Sequence, residues 1–304
     1  MDQKIIKCAV FSLLLIFLAA TNAVAQLSAA EVKKIQETNG EIWSVVEQKE
    51  PWISLQKGDK DAIEKMLDAG MDPNLAKEYG TTLLMYAAAE GHIKIVQMLL
   101  DRGADVNARD KDRGTALTAA IYNGHTKVAE LLLKKGADIN VTGPSRQTPL
   151  HMTAVWDNAD LVKLLLDKGA SITARDADGK TALHCAAAEG CAGVVHLLLQ
   201  KGANVNATDY NQRTPLFEAA ASGSAYTVEL LLEKGADTEA RINGYRTPIF
   251  LAIEKGHTEV VKVLIEKGAN LNTKNSSQET PLACAKKNGH GEIASLLKKA
   301  GAKE

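Results

Sequence analysis

The chain has 304 residues, with 36 Lys and Arg against 37 Asp and Glu and a formal net charge of −1. A balance so near neutral lacks the basic excess on which nucleic-acid binders depend, so that class of partner is excluded.

Lys4 and Lys7 precede an apolar run from Ala9 to Ala20, and Ala23-Val24-Ala25 stands before Gln26. A positive start, a short greasy segment and a small-x-small site spell a secretory signal peptide over residues 1–25. The run is shorter than the roughly 20 apolar residues of a bilayer-spanning helix; an uncleaved anchor is the alternative. Cys8 lies too early to be a lipoprotein cleavage cysteine. No later stretch could cross a membrane, so the cleaved chain is expected to be soluble, monomeric, and periplasmic or secreted. Next, Ser28-Ala-Ala-Glu31 has capping-box spacing, and Val32 and Ile35 continue an apolar stripe. This predicts a helix over about 29–38, then a second near 41–48 after Asn39-Gly40, with Trp43 packed on the segment that follows. Residues 26–48 thus read as a helical cap.

From there one sentence recurs. Its threonine stands at Thr82, Thr115, Thr148, Thr181, Thr214, Thr247 and Thr280, always 33 residues apart. A glycine keeps step at Gly103, Gly136, Gly169, Gly202, Gly235, Gly268 and Gly301. Two markers holding one period define a repeat array. Each Thr is placed to cap a helix through its hydroxyl, and Pro149, Pro215, Pro248 and Pro281 follow at the first helical position. Small residues such as Ala87-Ala88-Ala89 let this helix approach its neighbours. A glycine ends it (Gly91, Gly124, Gly190, Gly256, Gly289) by entering the left-handed region. In unit four Asp157-Asn158 replaces Gly-His, and Asp tolerates that region better than most residues. A second helix carries paired apolar residues, as in Ile95, Val96, Leu99 and Leu100. Gly-Ala-Asp/Asn-x-Asn then opens a protruding polar turn.

Residues 49–81 hold a disguised first unit, since Gly58 falls 33 residues before Gly91. Units therefore start near 49, 82, 115, 148, 181, 214, 247 and 280, and the array runs over 49–304. Its end units diverge because one face meets water instead of a neighbour. Thr148-Pro-Leu-His151, Gly256-His257 and Gly-Ala-Asp-x-Asn resemble the ankyrin repeat, over roughly residues 49 to 302. The resemblance implies an all-α solenoid of stacked helix-turn-helix units with hairpin-like fingers.

Candidate chemistry is sparse. Six of the seven histidines sit on places the resemblance makes structural: His151 and His184 after Pro-Leu or Ala-Leu, and His92, His125, His257 and His290 after Gly. His196 falls on a polar, solvated face. His184, Cys185, Cys191 and His196 share unit five and have the composition of a zinc site. However, adjacent residues on a helix point about 100° apart, and no C-x-x-C spacing exists. Cys185 and Cys284 lie three units apart, beyond disulfide reach; small buried thiols are expected, with Cys191 the most exposed. No phosphate loop, nucleophile elbow or His-Glu-x-x-His occurs. The chain reads as a non-enzyme with no cofactor.

The resemblance also implies binding of another protein through the concave side, at the finger tips and the exposed ends of the first helices. Those places hold Tyr79, Arg109, Tyr122, Trp156, Arg175, Tyr210, Arg213 and Arg246, residue types that dominate interface energetics. Val155-Trp156 and Tyr122 are expected on adjacent first helices. Tip arginines pairing with Asp110, Asp112, Asp176 and Asp178 are the competing reading. The function expected is an exported protein-binding scaffold, with a partner enzyme's inhibition as one variant. A metal- or thiol-dependent periplasmic redox or stress factor built on unit five is the alternative.

Overall fold

The computed structural model describes residues 50–143, 145–242 and 246–303. The expected leader and helical cap, with Trp43, lie outside them. Sixteen α-helices form eight antiparallel pairs among the described residues: α1 (Glu50–Lys57) with α2 (Lys60–Asp68), α3 (Leu83–Ala89) with α4 (Ile93–Asp101), α5 (Ala116–Tyr122) with α6 (Thr126–Lys134), α7 (Pro149–Ala154) with α8 (Ala159–Asp167), α9 (Ala182–Ala188) with α10 (Ala192–Gln200), α11 (Pro215–Ser222) with α12 (Ala225–Glu233), α13 (Pro248–Lys255) with α14 (Thr258–Glu266), and α15 (Pro281–Lys287) with α16 (Gly291–Lys299). The odd-numbered helices pack in one row and the even-numbered in another, each touching its own partner, and neighbours touch along both rows, least between α6 and α8.

The rows follow from side-chain size. Ala87, Ala88, Ala120, Ala186, Ala187, Ala219 and Ala220 are fully buried and bring the first helices close together. Ile95, Val96 and Leu99 on α4, with Val194, Val195 and Leu198 on α10, fill the space between rows. One pair has too little core to stand alone, and a single apolar cluster runs from Leu55 to Leu297.

Polar clamps repeat along the joints. Asn74 Oδ1 accepts from the Asp105 amide at 2.7 Å, and its Nδ2 donates to the Gly103 carbonyl at 3.3 Å. Asn107 and Asn206 repeat both bonds. On the outer helices Arg102–Asp68, Lys135–Asp101 and Lys201–Asp167 lie 2.8, 2.8 and 2.6 Å apart.

The fingers between pairs are hairpin-like turns with isolated bridges at Ala76–Thr82 and Ile242–Arg246, not strand ladders. Each closes on itself, as where the Asp176 and Asp209 amides donate to the Lys180 and Arg213 carbonyls at 2.9 Å.

Threonine capping divides by its neighbour three residues on. Thr82, Thr115 and Thr280 accept from the amide of that residue. At Thr148 and Thr181 the hydroxyl instead meets the Nδ1 atoms of His151 and His184, at 2.8 and 2.9 Å. At Thr214 and Thr247, with Phe217 and Phe250 in the histidine's place, the buried hydroxyl finds no partner. The uniform cap expected from the sequence is corrected at these four units. Asp157 does hold the left-handed turn, at φ 50°.

Candidate functional site

The first helices and the fingers together line one side of the stack, here called the inner side. In units two to four it holds a cleft of about 330 Å³. Met85, Tyr86, Ala89, Ala119 and Met152 line it from three successive first helices or their ends, and Asp110, Asp112, Tyr122 and Asn123 are also in its lining. Beside it, Lys77 places its ammonium 4.6 Å from the Trp52 ring centre and 4.4 Å from that of Tyr86. Those two rings meet edge to face at 5.8 Å.

The aromatic residues expected to bind are exposed. Tyr122 at the end of α5 is 69% accessible, and Tyr79 and Tyr210 on the fingers 65% and 63%. Tyr79 adopts φ 70°, an outlying conformation for a bulky residue. Its carbonyl accepts from the Lys111 amide at 2.8 Å, and the Lys111 ammonium lies 5.0 Å from its ring centre. Tyr210 packs its ring on Gly179, where any Cβ would come within 2.7 Å.

Trp156 departs from expectation. Helix α7 stops at Ala154, so Val155 and Trp156 belong to the following turn. Trp156 is exposed and lines a separate small recess with Ile121, Gly124 and Asn158, so it does not share the cleft with Tyr122.

The arginines are engaged within the chain, but not with the aspartates expected. Arg109 lies 3.5 Å from Asp138. Arg175 donates through Nη1 to the Gly179 and Thr208 carbonyls at 2.8 and 2.5 Å, tying two fingers together. Arg213 lies 4.0 Å from Glu218, which Lys180 approaches at 3.0 Å. Arg246 is paired with Glu254. Asp176 and Asp209 are buried and spend Oδ1 on amides of their own turns, at 2.8–2.9 Å.

The histidine and cysteine group of unit five does not converge. His184 is fully buried, with Nδ1 on Thr181 and Nε2 3.1 Å from the Arg213 carbonyl. Burial holds its pKa below the ordinary imidazole value, as it does for His151. Burial pushes the Cys185 thiol up to about 12, so the nucleophilic thiolate is absent at neutral pH. His196 is exposed on α10. Cys191, expected to be the most exposed thiol, is buried, and is corrected here: it occupies the place of His125 and His257. Those histidines bond carbonyls 36 residues upstream, Ala89 and Ala221, at 2.9 and 3.0 Å. The Cys191 thiol faces the Val155 carbonyl in the same way at 3.7 Å. Among the described residues, no three His, Cys, Asp or Glu side chains are grouped as metal ligands would be.

A larger depression, about 560 Å³, lies on the outer side between α2, α4 and α6. Several of its polar groups satisfy one another, as in Lys60–Glu64 at 2.7 Å and Gln97–Asp101 at 2.7 Å. Sequence reasoning missed the cleft lining, since Tyr86, Ala119 and Met152 share a place in the unit, four residues after the Thr, that was not among those weighed. It also missed Tyr226, 68% exposed on α12.

A family model described as Ankyrin repeats matches in three copies, over residues 52–143, 150–242 and 238–304. Among solved structures, the human ASB11 ankyrin repeat domain is similar, with a TM-score of 0.66 and 26% identity. That match covers 73% of this chain and 98% of the other. Among curated proteins none matches. No helix of the described residues is long and apolar enough to cross a membrane.

Proposed function

Because the chain belongs to the ankyrin repeat family, we propose that it is an exported scaffold that binds another protein through its inner side. Ankyrin repeats generally bind other proteins, and the fold usually serves binding instead of catalysis. The observation that carries the reading is the open cleft of units two to four, with Tyr122 exposed on its rim. An exposed aromatic beside an apolar recess is the usual anchor of a protein interface. Tyr79 and Tyr210 on the tips, with Trp156 on its turn, extend the contact. Arg109, Arg175, Arg213 and Arg246 hold fingers in place and support it indirectly. Export rests on residues 1–25, and a mature protein beginning at Gln26 would establish the cleavage.

The test is capture of crosslinked partners in the native compartment, with wild type compared against Tyr122→Ala and Trp156→Ala. Both side chains are exposed, so the variants should fold. Loss of the same partner band with Tyr122→Ala supports the cleft; equal capture by both variants moves the site elsewhere.

A further inference from the structure

Resting on that reading, we infer that the cleft of units two to four takes a partner segment with a large apolar side chain next to a lysine or arginine. Three independent features of the cleft point to this chemistry.

The first is the lining. Met85, Tyr86, Ala89, Ala119 and Met152 offer an apolar surface, and methionines adapt their shape to an incoming side chain. A volume of about 330 Å³ is small for a cofactor pocket and suits side chains of an extended peptide.

The second is charge. Two carboxylates, Asp110 and Asp112, line the cleft, and no lysine or arginine among the described residues does. Asp110 spends Oδ1 on the Gly114 amide at 2.7 Å. Asp112 is exposed and forms no ion pair among the described residues. Its neighbour Lys111 leans over the Tyr79 ring, and Arg113 does not contribute to the lining. The tip arginines Arg109, Arg213 and Arg246 are taken up by internal ion pairs, so the charge lining the cleft among the described residues is negative.

The third is a cation already seated at its edge. Lys77 lies over both Trp52 and Tyr86, and Tyr86 is itself part of the cleft lining. The chain thus stabilises an ammonium on this aromatic corner. Tyr122 presents a second ring, exposed and without an aromatic or cationic neighbour among the described residues, in the same cleft lining as Asp112. A ring attracts a cation through its quadrupole, and a carboxylate in the same cleft through the opposite charge.

The experiment is a positional-scanning library of fluorescein-labelled decapeptides, read by fluorescence polarisation against the purified chain. Enrichment of Leu, Met or Phe adjacent to Lys or Arg is expected. Binding of the best peptide should weaken roughly fivefold in Asp112→Asn and roughly tenfold or more in Tyr122→Ala. Salt should weaken it as well. Enrichment of acidic peptides, or of apolar peptides indifferent to Asp112→Asn, overturns the proposed chemistry but leaves the cleft as the site if Tyr122→Ala still abolishes binding. Absence of any enriched peptide also overturns it, and the native-partner capture above then decides the broader reading by itself.

Discussion

Replacing His184 with alanine should be among the more damaging single changes in the array. The ring is fully buried. The Thr181 amide lies 3.1 Å from Nδ1, so Nδ1 is the acceptor, and the proton on Nε2 is donated to the Arg213 carbonyl. The first contact fixes the start of α9 and the second crosses to the finger before unit six. Alanine removes both and leaves a hole. Two lost hydrogen bonds at roughly 1 kcal/mol each, with partners left buried, and a cavity cost of roughly 1–2 kcal/mol give about 3–4 kcal/mol. Urea unfolding followed by far-ultraviolet circular dichroism reads the change, with His196→Ala on the exposed face of α10 as the control, expected within about 0.5 kcal/mol. His184→Phe repeats what Phe217 and Phe250 do in the next two units, and should cost less than alanine. If His184→Ala and His196→Ala lose equal stability, the ring does not join the units and the reasoning fails.

Further outcomes follow from the same joints. Burial lowers the pKa of His151 and His184 from the ordinary 6.5, so the unfolded chain takes up protons that the folded chain resists. Stability is therefore fully present above that value and declines as pH falls below it; unfolding midpoints at about pH 7.5 and about pH 5.5 should differ, and less so in His184→Phe. A Cβ on Gly91 would meet the His125 ring at 2.6 Å, whereas Gly124 has nothing within 4 Å, at nearly equal φ of 76° and 75°. Gly91→Ala should then cost roughly 1 kcal/mol or more beyond Gly124→Ala in urea unfolding. Lys168 has Lys134 where Lys135, Lys201 and Lys267 have Asp101, Asp167 and Glu233, so Lys134→Asp should raise the melting temperature by roughly 1–3 °C, an effect removed by high salt. In unit five Asp157 and Cys191 replace the usual Gly-under-His stack; Cys191→His alone should destabilise, and adding Asp157→Gly should recover the loss in a double-mutant cycle.

The period, the helix pairs and the single core were legible because they depend on residue size and on glycine at left-handed positions, both written in the sequence. What escaped depends on partners one unit away. Thr181 and Thr214 are an exception, for their difference lies three residues on in the same unit, where one hydroxyl meets His184 and the other, with Phe217 in that place, finds no partner. Cys191, read from the sequence as the most exposed of the three thiols, does depend on a neighbouring unit. It is buried because it fills a histidine's place, and that place packs against residues of the preceding unit. The tip arginines looked available because their acceptors are carbonyls and carboxylates in other fingers or helices, such as Thr208 for Arg175. The cleft was missed for a related reason: part of its lining, Tyr86, Ala119 and Met152, comes from one place in three units, and no single unit carries it. The signal was present in that column, where Tyr86, Ala119, Met152, Cys185, Glu218, Leu251 and Cys284 share neither size nor charge.

Taken as a series, that column and its neighbours change character along the stack. In units two to four the inner side is apolar and aromatic, with the Asp112 carboxylate outside any ion pair among the described residues. From unit five onward it becomes ionic and closed upon itself. Glu218 gathers Lys180 and Arg213. In unit seven Arg246, just before the Thr, pairs with Glu254 seven residues after it. In unit eight the same two places carry Glu279 and Lys287, 2.5 Å apart, with the signs exchanged. A pair that persists with its charges reversed serves the contact between finger and helix, since a ligand of fixed charge would require one sign. The later units therefore spend these charged pairs on holding the fingers, and the cleft, with Asp112 outside any ion pair among the described residues and Tyr122 exposed on its rim, belongs to the earlier part of the stack.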